Sequence, residues 1–215
     1  MTLQAFKLQM WYLKAAGYRV VSLKEMLAFA SGDKKAKNRG PMAALTFDDG
    51  YIDFYENAFP VLKKYGYPST VFMVSGLAGR TNLWDRAAYG YGHEKRLLGW
   101  QKASELSEGG VTFGAHTRTH PHLTSISASR MKEEILGSKL EIEDRTGRQA
   151  DFFCYPYGDY NGEVVRVVKE AGFLGATSTR RGYVLKGDDR FELKRMSAGP
   201  KTWLFSMLPG AHFGH

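Results

Sequence analysis

The sequence predicts an α/β protein of parallel strands, either a barrel or an open doubly wound sheet, and three observations carry that prediction. Short runs rich in β-branched and aromatic residues alternate with helical patterns about seven times, as βαβ units do. Glycines at 17, 66, 147 and 172 fall where helical patterns stop, the usual chemistry of a helix end. Asp48-Asp49, His116 and Tyr155-Pro156-Tyr157 each follow a predicted strand directly. In a barrel all three would converge on the carboxyl-end face, where such folds place their sites.

Leu3, Phe6, Met10 and Leu13 recur at helical spacing, which predicts a first helix closed by Gly17. Residues 18–21 read as a short strand, and Ser22-Leu23-Lys24-Glu25 has the form of a capping box opening a helix through about Ala30. A strand over 43–47 ends in the acidic turn. The pattern over 54–65 is helical, with Pro60 expected to kink or restart it because proline has no amide donor. Residues 69–74 form the next strand. A long polar, glycine-rich excursion over 75–99 follows, and excursions of that length usually carry function. A helix over 100–107, a strand over 111–115 and a helix over 127–146 come next. Then come a strand over 152–155, a helix capped by Asn161, a strand over 173–177 and a last strand near 193–196. Val71, Phe72, Val164 and Val168 read as core.

At 215 residues, with 43% hydrophobic and 13% aromatic content, the chain suits one globular domain spanning 1–215. No apolar run approaches the roughly 18 residues a spanning helix needs, and the first residues lack the pattern of a signal peptide. One cysteine, Cys154, rules out an internal disulfide and fits a cytosolic or a bacterial exported protein. The net charge of +8 is read as a solubilising surface, with attraction to an acidic envelope or anionic polymer as the alternative. The densest basic run, Lys34-Lys35-Ala36-Lys37-Asn38-Arg39, has no interleaved aromatics, so no nucleic-acid partner is expected.

The chemistry starts at Ala44-Leu45-Thr46-Phe47-Asp48-Asp49-Gly50-Tyr51. Adjacent carboxylates repel unless a cation or a shared proton relieves them, so the pair either divides metal and proton work or sits in water. His116 and His120, four residues apart, can face one metal if the segment is helical or turn-like. The metalloprotease signature is excluded, because Thr117 stands where that chemistry needs glutamate. Two imidazoles and one carboxylate make the ligand set of an open catalytic site, and the second carboxylate is left to take a proton from water.

Thr46-Phe47-Asp48-Asp49-Gly50 resembles the first motif of the polysaccharide deacetylases, carbohydrate esterase family four with the NodB homology domain, and His116-Thr117-Arg118-Thr119-His120 resembles their second. Similarity runs on through residues 10–21, through 60–66 and to Tyr155-Pro156-Tyr157-Gly158. The resemblance implies a distorted, incomplete (β/α)7 barrel that removes N-acetyl groups from an N-acetylglucosamine polysaccharide. It implies a divalent metal on Asp49, His116 and His120, most often Zn2+, with Co2+, Ni2+ or Fe2+ as alternatives. Asp48 would be the general base, and the backbone amide of Tyr157 would face the oxyanion. Cys154 with Tyr155-Pro156-Tyr157-Gly158, and Asn82-Leu83-Trp84-Asp85 in the excursion, look most like the poly-β-1,6-N-acetylglucosamine deacetylases. Trp84, Tyr155 and Pro156 are the expected substrate contacts. For Trp84 the alternative is a cover on the barrel rim, and Tyr89, Tyr91 and His93 share that ambiguity. The resemblance also implies an extracellular, periplasmic or cell-surface enzyme of a bacterium.

Three departures stand beside it. Many members carry, in the third motif, an arginine that holds the catalytic aspartate, and here Cys154 occupies that place. The terminal motif, whose histidine protonates the leaving amine, is one residue too long in Leu208-Pro209-Gly210-Ala211-His212, with His212 as the candidate acid. The strand that usually precedes the first helix is not seen. His122 is read as a surface group or one that supports the metal motif. Two alternatives therefore remain: an inactive carbohydrate-binding relative, or an O-acetyl esterase, whose alkoxide leaves without a strong general acid.

Overall fold

The computed structural model describes residues 1–33, 40–85 and 94–199. Seven strands form one sheet in the order of the chain, β1 (Arg19–Val21), β2 (Met42–Phe47), β3 (Ser69–Met73), β4 (Thr112–Ala115), β5 (Phe152–Cys154), β6 (Gly175–Arg181) and β7 (Leu193–Arg195). All six neighbouring pairs are parallel. A doubly wound sheet reverses its strand order at a switch point. This sheet does not, and among the described residues β1 and β7 do not pair, so it curves as an incomplete (β/α) barrel.

The helices are α1 (Leu3–Ala15), α2 (Leu23–Ala30), α3 (Phe59–Tyr65), α4 (Trp100–Glu108), α5 (Ala128–Thr146) and α6 (Gly162–Glu170). Their starts follow local chemistry. Ser22, Ser127 and Asn161 each accept amide hydrogens of the first turn through their side chains. The capping box of α2 is only half made: Ser22 accepts the Glu25 amide at 3.1 Å, whereas the Glu25 carboxylate pairs with Arg19. The helical stretch before Tyr65 starts as a π-helical segment, Phe54–Ala58, and restarts as α3 with Pro60 in its first turn, where a missing amide costs nothing. The strand expected over 173–177 instead runs Gly175–Arg181. Phe173, 3% exposed, packs in the core before the strand begins.

The pleat sends alternate strand residues to two apolar clusters. Val71, Met73, Phe113, Ala115 and Phe153 join residues of α1, α3, α5 and α6 on one face. Phe72, Phe152, Cys154 and Leu193 join Leu23, Met26, Leu27 and Ala30 of α2 in the other. Phe72 fits because its register partner on β4 is Gly114. A Cβ there would lie 2.6 Å from the Phe72 ring and 2.8 Å from the Phe152 carbonyl. Within the excursion, Thr81 and Arg96 form an antiparallel bridge, and Leu97 forms another with Tyr51. No described helix is long and apolar enough to cross a membrane. The basic run over 34–39, Tyr89, Tyr91, His93 and His212 lie outside the described residues.

Candidate metal centre and active site

Asp48 and Asp49 follow β2, His116 follows β4, Tyr157 follows β5 and Arg195 ends β7. All lie at the carboxyl ends of parallel strands. Among the described residues only four non-glycines take positive φ: Asp49 (71°), Thr117 (65°), His120 (62°) and Tyr157 (59°). Left-handed backbone is costly outside glycine and concentrates where a site demands it. Here all four fall on the two motifs and the tyrosine turn.

Three donor atoms form a nearly equilateral triangle. His116 Nε2 and His120 Nε2 are 3.2 Å apart, and Asp49 Oδ1 lies 3.3 Å from the first and 3.5 Å from the second. A tetrahedral ion with bonds of about 2.0–2.1 Å separates its ligands by roughly 3.3–3.4 Å. The donor set therefore fits such an ion in spacing and in chemistry, and it is the one cluster of this kind among the described residues. His116 Nδ1 meets the Cys154 carbonyl at 2.7 Å, which places the proton on Nδ1 and leaves Nε2 as the donor. His120 is covered by Trp84, stacked on it at 4.4 Å and 28°, and by the edge of Tyr157 at 4.5 Å.

Burial and the neighbouring His116 push the His120 pKa down to about 3, so its imidazole is neutral. Burial also acts to lower His116, but Cys154, Asp49 and Asp48 outweigh it and raise that pKa. A cation at the triangle would displace the proton, because a protonated Nε2 has no lone pair to give.

Asp48 answers the question left by Cys154. Arg195 Nη1 donates to Asp48 Oδ1 and Nη2 to Oδ2, both at 2.7 Å. Its Nε donates to the Ser178 carbonyl at 2.9 Å, and Nη2 lies 3.3 Å from Cys154 Sγ. The missing arginine thus arrives from β7, across the interior, and Cys154 forms part of its seat. Burial would raise the Asp48 pKa, but the Arg195 charge and its two hydrogen bonds overcome this and hold the carboxyl below its ordinary range. The two aspartates are therefore held differently, Asp48 on a guanidinium and Asp49 toward the histidines.

Tyr157 occupies a 3-10 turn whose bonds run from Gly158 to Tyr155 and from Asp159 to Pro156. They do not use the Tyr157 amide. The residue is 47% exposed, and its ring stacks on His122 at 4.0 Å and 13°. His122 Nδ1 is 3.6 Å from Asp159. Tyr155 and Pro156 correct a sequence expectation. Both are buried, and the Tyr155 hydroxyl donates to the Phe191 carbonyl at 2.9 Å while its ring stacks on Tyr160. Both therefore lie on the core side of the turn in this structure. Trp84 is half-buried and covers His120.

Sequence reasoning missed Arg195, Asn82 and Tyr51. Arg195 closes the last predicted strand, and a cation at a strand end on the site's face was the available signal. Asn82 is fully buried, reaches the Tyr51 hydroxyl at 3.2 Å and Asp85 at 2.5 Å, and accepts the Lys95 amide. Burial, then Asp49 and Asp85, raise the Tyr51 pKa, so its phenol stays protonated beside Asp49.

At the strand ends of a parallel sheet arranged as an incomplete (β/α) barrel stand an Asp-His-His donor triangle that could hold a metal ion and a carboxylate held by a guanidinium. Residues 35–176 match the family model described as polysaccharide deacetylase, and the chain belongs to that family. It is 27% identical over 204 residues to the poly-beta-1,6-N-acetyl-D-glucosamine N-deacetylase of Staphylococcus epidermidis, covering 90% of this chain and 66% of that protein. Among solved structures it is similar to IcaB from Ammonifex degensii, with a TM-score of 0.82, 25% identity, and 95% of this chain and 87% of that one covered. The fold is also that of the Streptococcus pyogenes deacetylase PplD in complex with acetate, at TM-score 0.75 and 24% identity over 96% of this chain and 87% of that one. The chain spans 64% to 66% of the length of the curated relatives it matches.

Proposed function

We propose that this chain is the catalytic unit of a metal-dependent hydrolase that removes N-acetyl groups from an N-acetylglucosamine-containing polysaccharide at the bacterial cell envelope. The observation that carries the reading is the donor triangle of Asp49, His116 and His120 beside an Asp48 held by Arg195. A divalent ion bound there, for which Zn2+ is the first candidate, supplies a Lewis acid that polarises the acetyl carbonyl and acidifies water. Asp48, ionised through its pairing with Arg195, accepts the proton of the attacking water. The Tyr157 amide, free of its turn's own bonds, is the donor available to the developing oxyanion. Trp84 and Tyr157 wall the approach to His120, and the leaving amine's proton is assigned by family resemblance to His212. Poly-β-1,6-linked N-acetylglucosamine is the preferred polymer, supported by the similarity to the poly-beta-1,6-N-acetyl-D-glucosamine N-deacetylase of Staphylococcus epidermidis.

The inactive-relative alternative rested in part on the missing arginine, and Arg195 removes that motive. The test is acetate release from N-acetylglucosamine oligomers by the Zn2+-loaded protein, with Asp48→Asn and an O-acetyl substrate in parallel. Amide hydrolysis that falls on the order of 1,000-fold in Asp48→Asn, with metal still bound, supports the reading. Ester hydrolysis without amide hydrolysis points to an O-acetyl esterase. A protein that binds no stoichiometric metal sinks it.

A further inference from the structure

Glu134 lies on α5 and is 4% exposed. A carboxylate is buried at that depth only when it is well bonded. Its Oε2 accepts the Arg118 amide at 2.9 Å and the Thr119 amide at 2.8 Å, and its Oε1 accepts the Thr119 hydroxyl at 2.6 Å. Arg130 Nε stands 3.8 Å from Glu134 Oε1. Glu134 therefore grips the residues between the two imidazoles.

The rest of the loop is fastened by other means. The Thr117 hydroxyl accepts the His120 amide at 3.0 Å. The Thr117 and Arg118 carbonyls accept the Ser75 and Gly76 amides at 3.1 and 3.0 Å. Between these ties the backbone passes through left-handed positions at Thr117 and His120, which are strained for a residue with a Cβ. The three hydrogen bonds to the Glu134 carboxyl oxygens together offset that strain, through their reach and direction more than through the charge of the acceptor. Without the acceptor two inward-facing amides lose their partner, and the loop gains by relaxing. The 3.2 Å approach of the two Nε2 atoms depends on the loop staying in place.

We infer that Glu134 is a positioning residue, which holds the His116–His120 loop in metal-binding geometry without touching the metal. Part of the metal affinity is thereby placed on α5, outside the ligand set. This inference rests on the metal-site reading above.

Two variants separate reach from charge. Glu134→Asp keeps the charge and shortens the reach by one methylene; Glu134→Gln keeps the reach, and its amide oxygen can still accept both backbone hydrogens. Zn2+ affinity is measured by competition with a chromophoric chelator, Co2+ geometry by its visible absorption, and folding by melting of the metal-free protein. Glu134→Asp is expected to lose about 10- to 100-fold in affinity, as removal of an orienting partner does, with an altered Co2+ spectrum. Glu134→Gln is expected to stay within about threefold of wild type, well inside the loss assigned to lost orientation. Thr119→Val removes only the hydroxyl arm and should weaken binding about threefold, a fraction of that loss. It decides the matter if Glu134→Asp does not fold. Unchanged affinity and spectrum in Glu134→Asp, equal losses in Asp and Gln, or, should Glu134→Asp not fold, an unchanged Thr119→Val would overturn the inference. Wild-type protein that binds no metal refutes the metal reading and this role with it, whereas wild-type binding with an unchanged Glu134→Asp refutes this role alone.

Discussion

Replacing Arg195 by methionine removes the guanidinium and keeps most of the apolar stem. The structure gives the size of the effect. Asp48 loses two charge-assisted bonds of 2.7 Å, and leaving one partner of a fully buried pair costs about 3–5 kcal/mol. The Asp48 side chain is 34% exposed, so water replaces part of the loss, and about 2–3 kcal/mol is expected at neutral pH. The sign with pH follows from the depressed Asp48 pKa. The pair's contribution is present above the ordinary carboxylate value and is lost as pH falls through the lower folded value. In Arg195→Met that acid-side loss disappears from the stability profile. The acid limb of kcat/KM moves to higher pH, because the base now protonates nearer its ordinary value. Arg195→Lys keeps the charge and loses the two-pronged geometry, so its acid limb should lie between the two. Urea melts and acetate-release profiles across the acid range measure both effects. An unchanged acid limb in Arg195→Met, with rates within twofold of wild type, would refute Arg195 as the holder of the base.

Two further outcomes follow from the packing around the site. Gly158 has φ of +71°, and a Cβ there would stand 1.9 Å from Thr179 Oγ1, so Gly158→Ala should cost about 2–4 kcal/mol from left-handed strain plus overpacking. Adding Thr179→Ala removes the contacts at Oγ1 and Cγ2 but leaves Thr179 Cβ at 2.8 Å, so it should return part of the overpacking share, and a double mutant no more stable than the single would show that the clash is not the cause. Trp84→Ala uncovers His120, which is 5% exposed beneath the stacked indole. Loss of an aromatic contact of about 1 kcal/mol corresponds to roughly fivefold faster metal release into a chelator, and an unchanged rate would mean the stack does not guard the site.

Much of the site could be read directly from neighbouring residues. Asp48-Asp49 at the end of a strand and His116 with His120 after another were both visible, because an apolar run, a turn glycine and a four-residue spacing are local signals. Core positions such as Val71, Phe72, Val164 and Val168, all fully buried, followed from pattern in the same way. Tyr155 misled for a physical reason. Its motif marked the right turn, but the pleat and the left-handed Tyr157 decide which ring faces outward, and Tyr155 went to the core with its hydroxyl on Phe191.

By itself the sequence determined the alternation of strands and helices, the caps at Ser22 and Asn161, the restart at Pro60 and the strand-end placement of the acids and histidines. These depend on contacts within a few residues, where hydrogen-bond closure and hydrophobic period are written in neighbouring side chains. Tertiary structure decided that, among the described residues, β1 and β7 do not pair, and it alone brought Arg195 across 147 residues to Asp48. It also set Glu134 beneath the histidine loop. Strand order, curvature and register bring such distant groups together, and they are properties of the whole sheet. A guanidinium can replace another from a different strand because Asp48 responds to where the charge is, whatever its place in the chain.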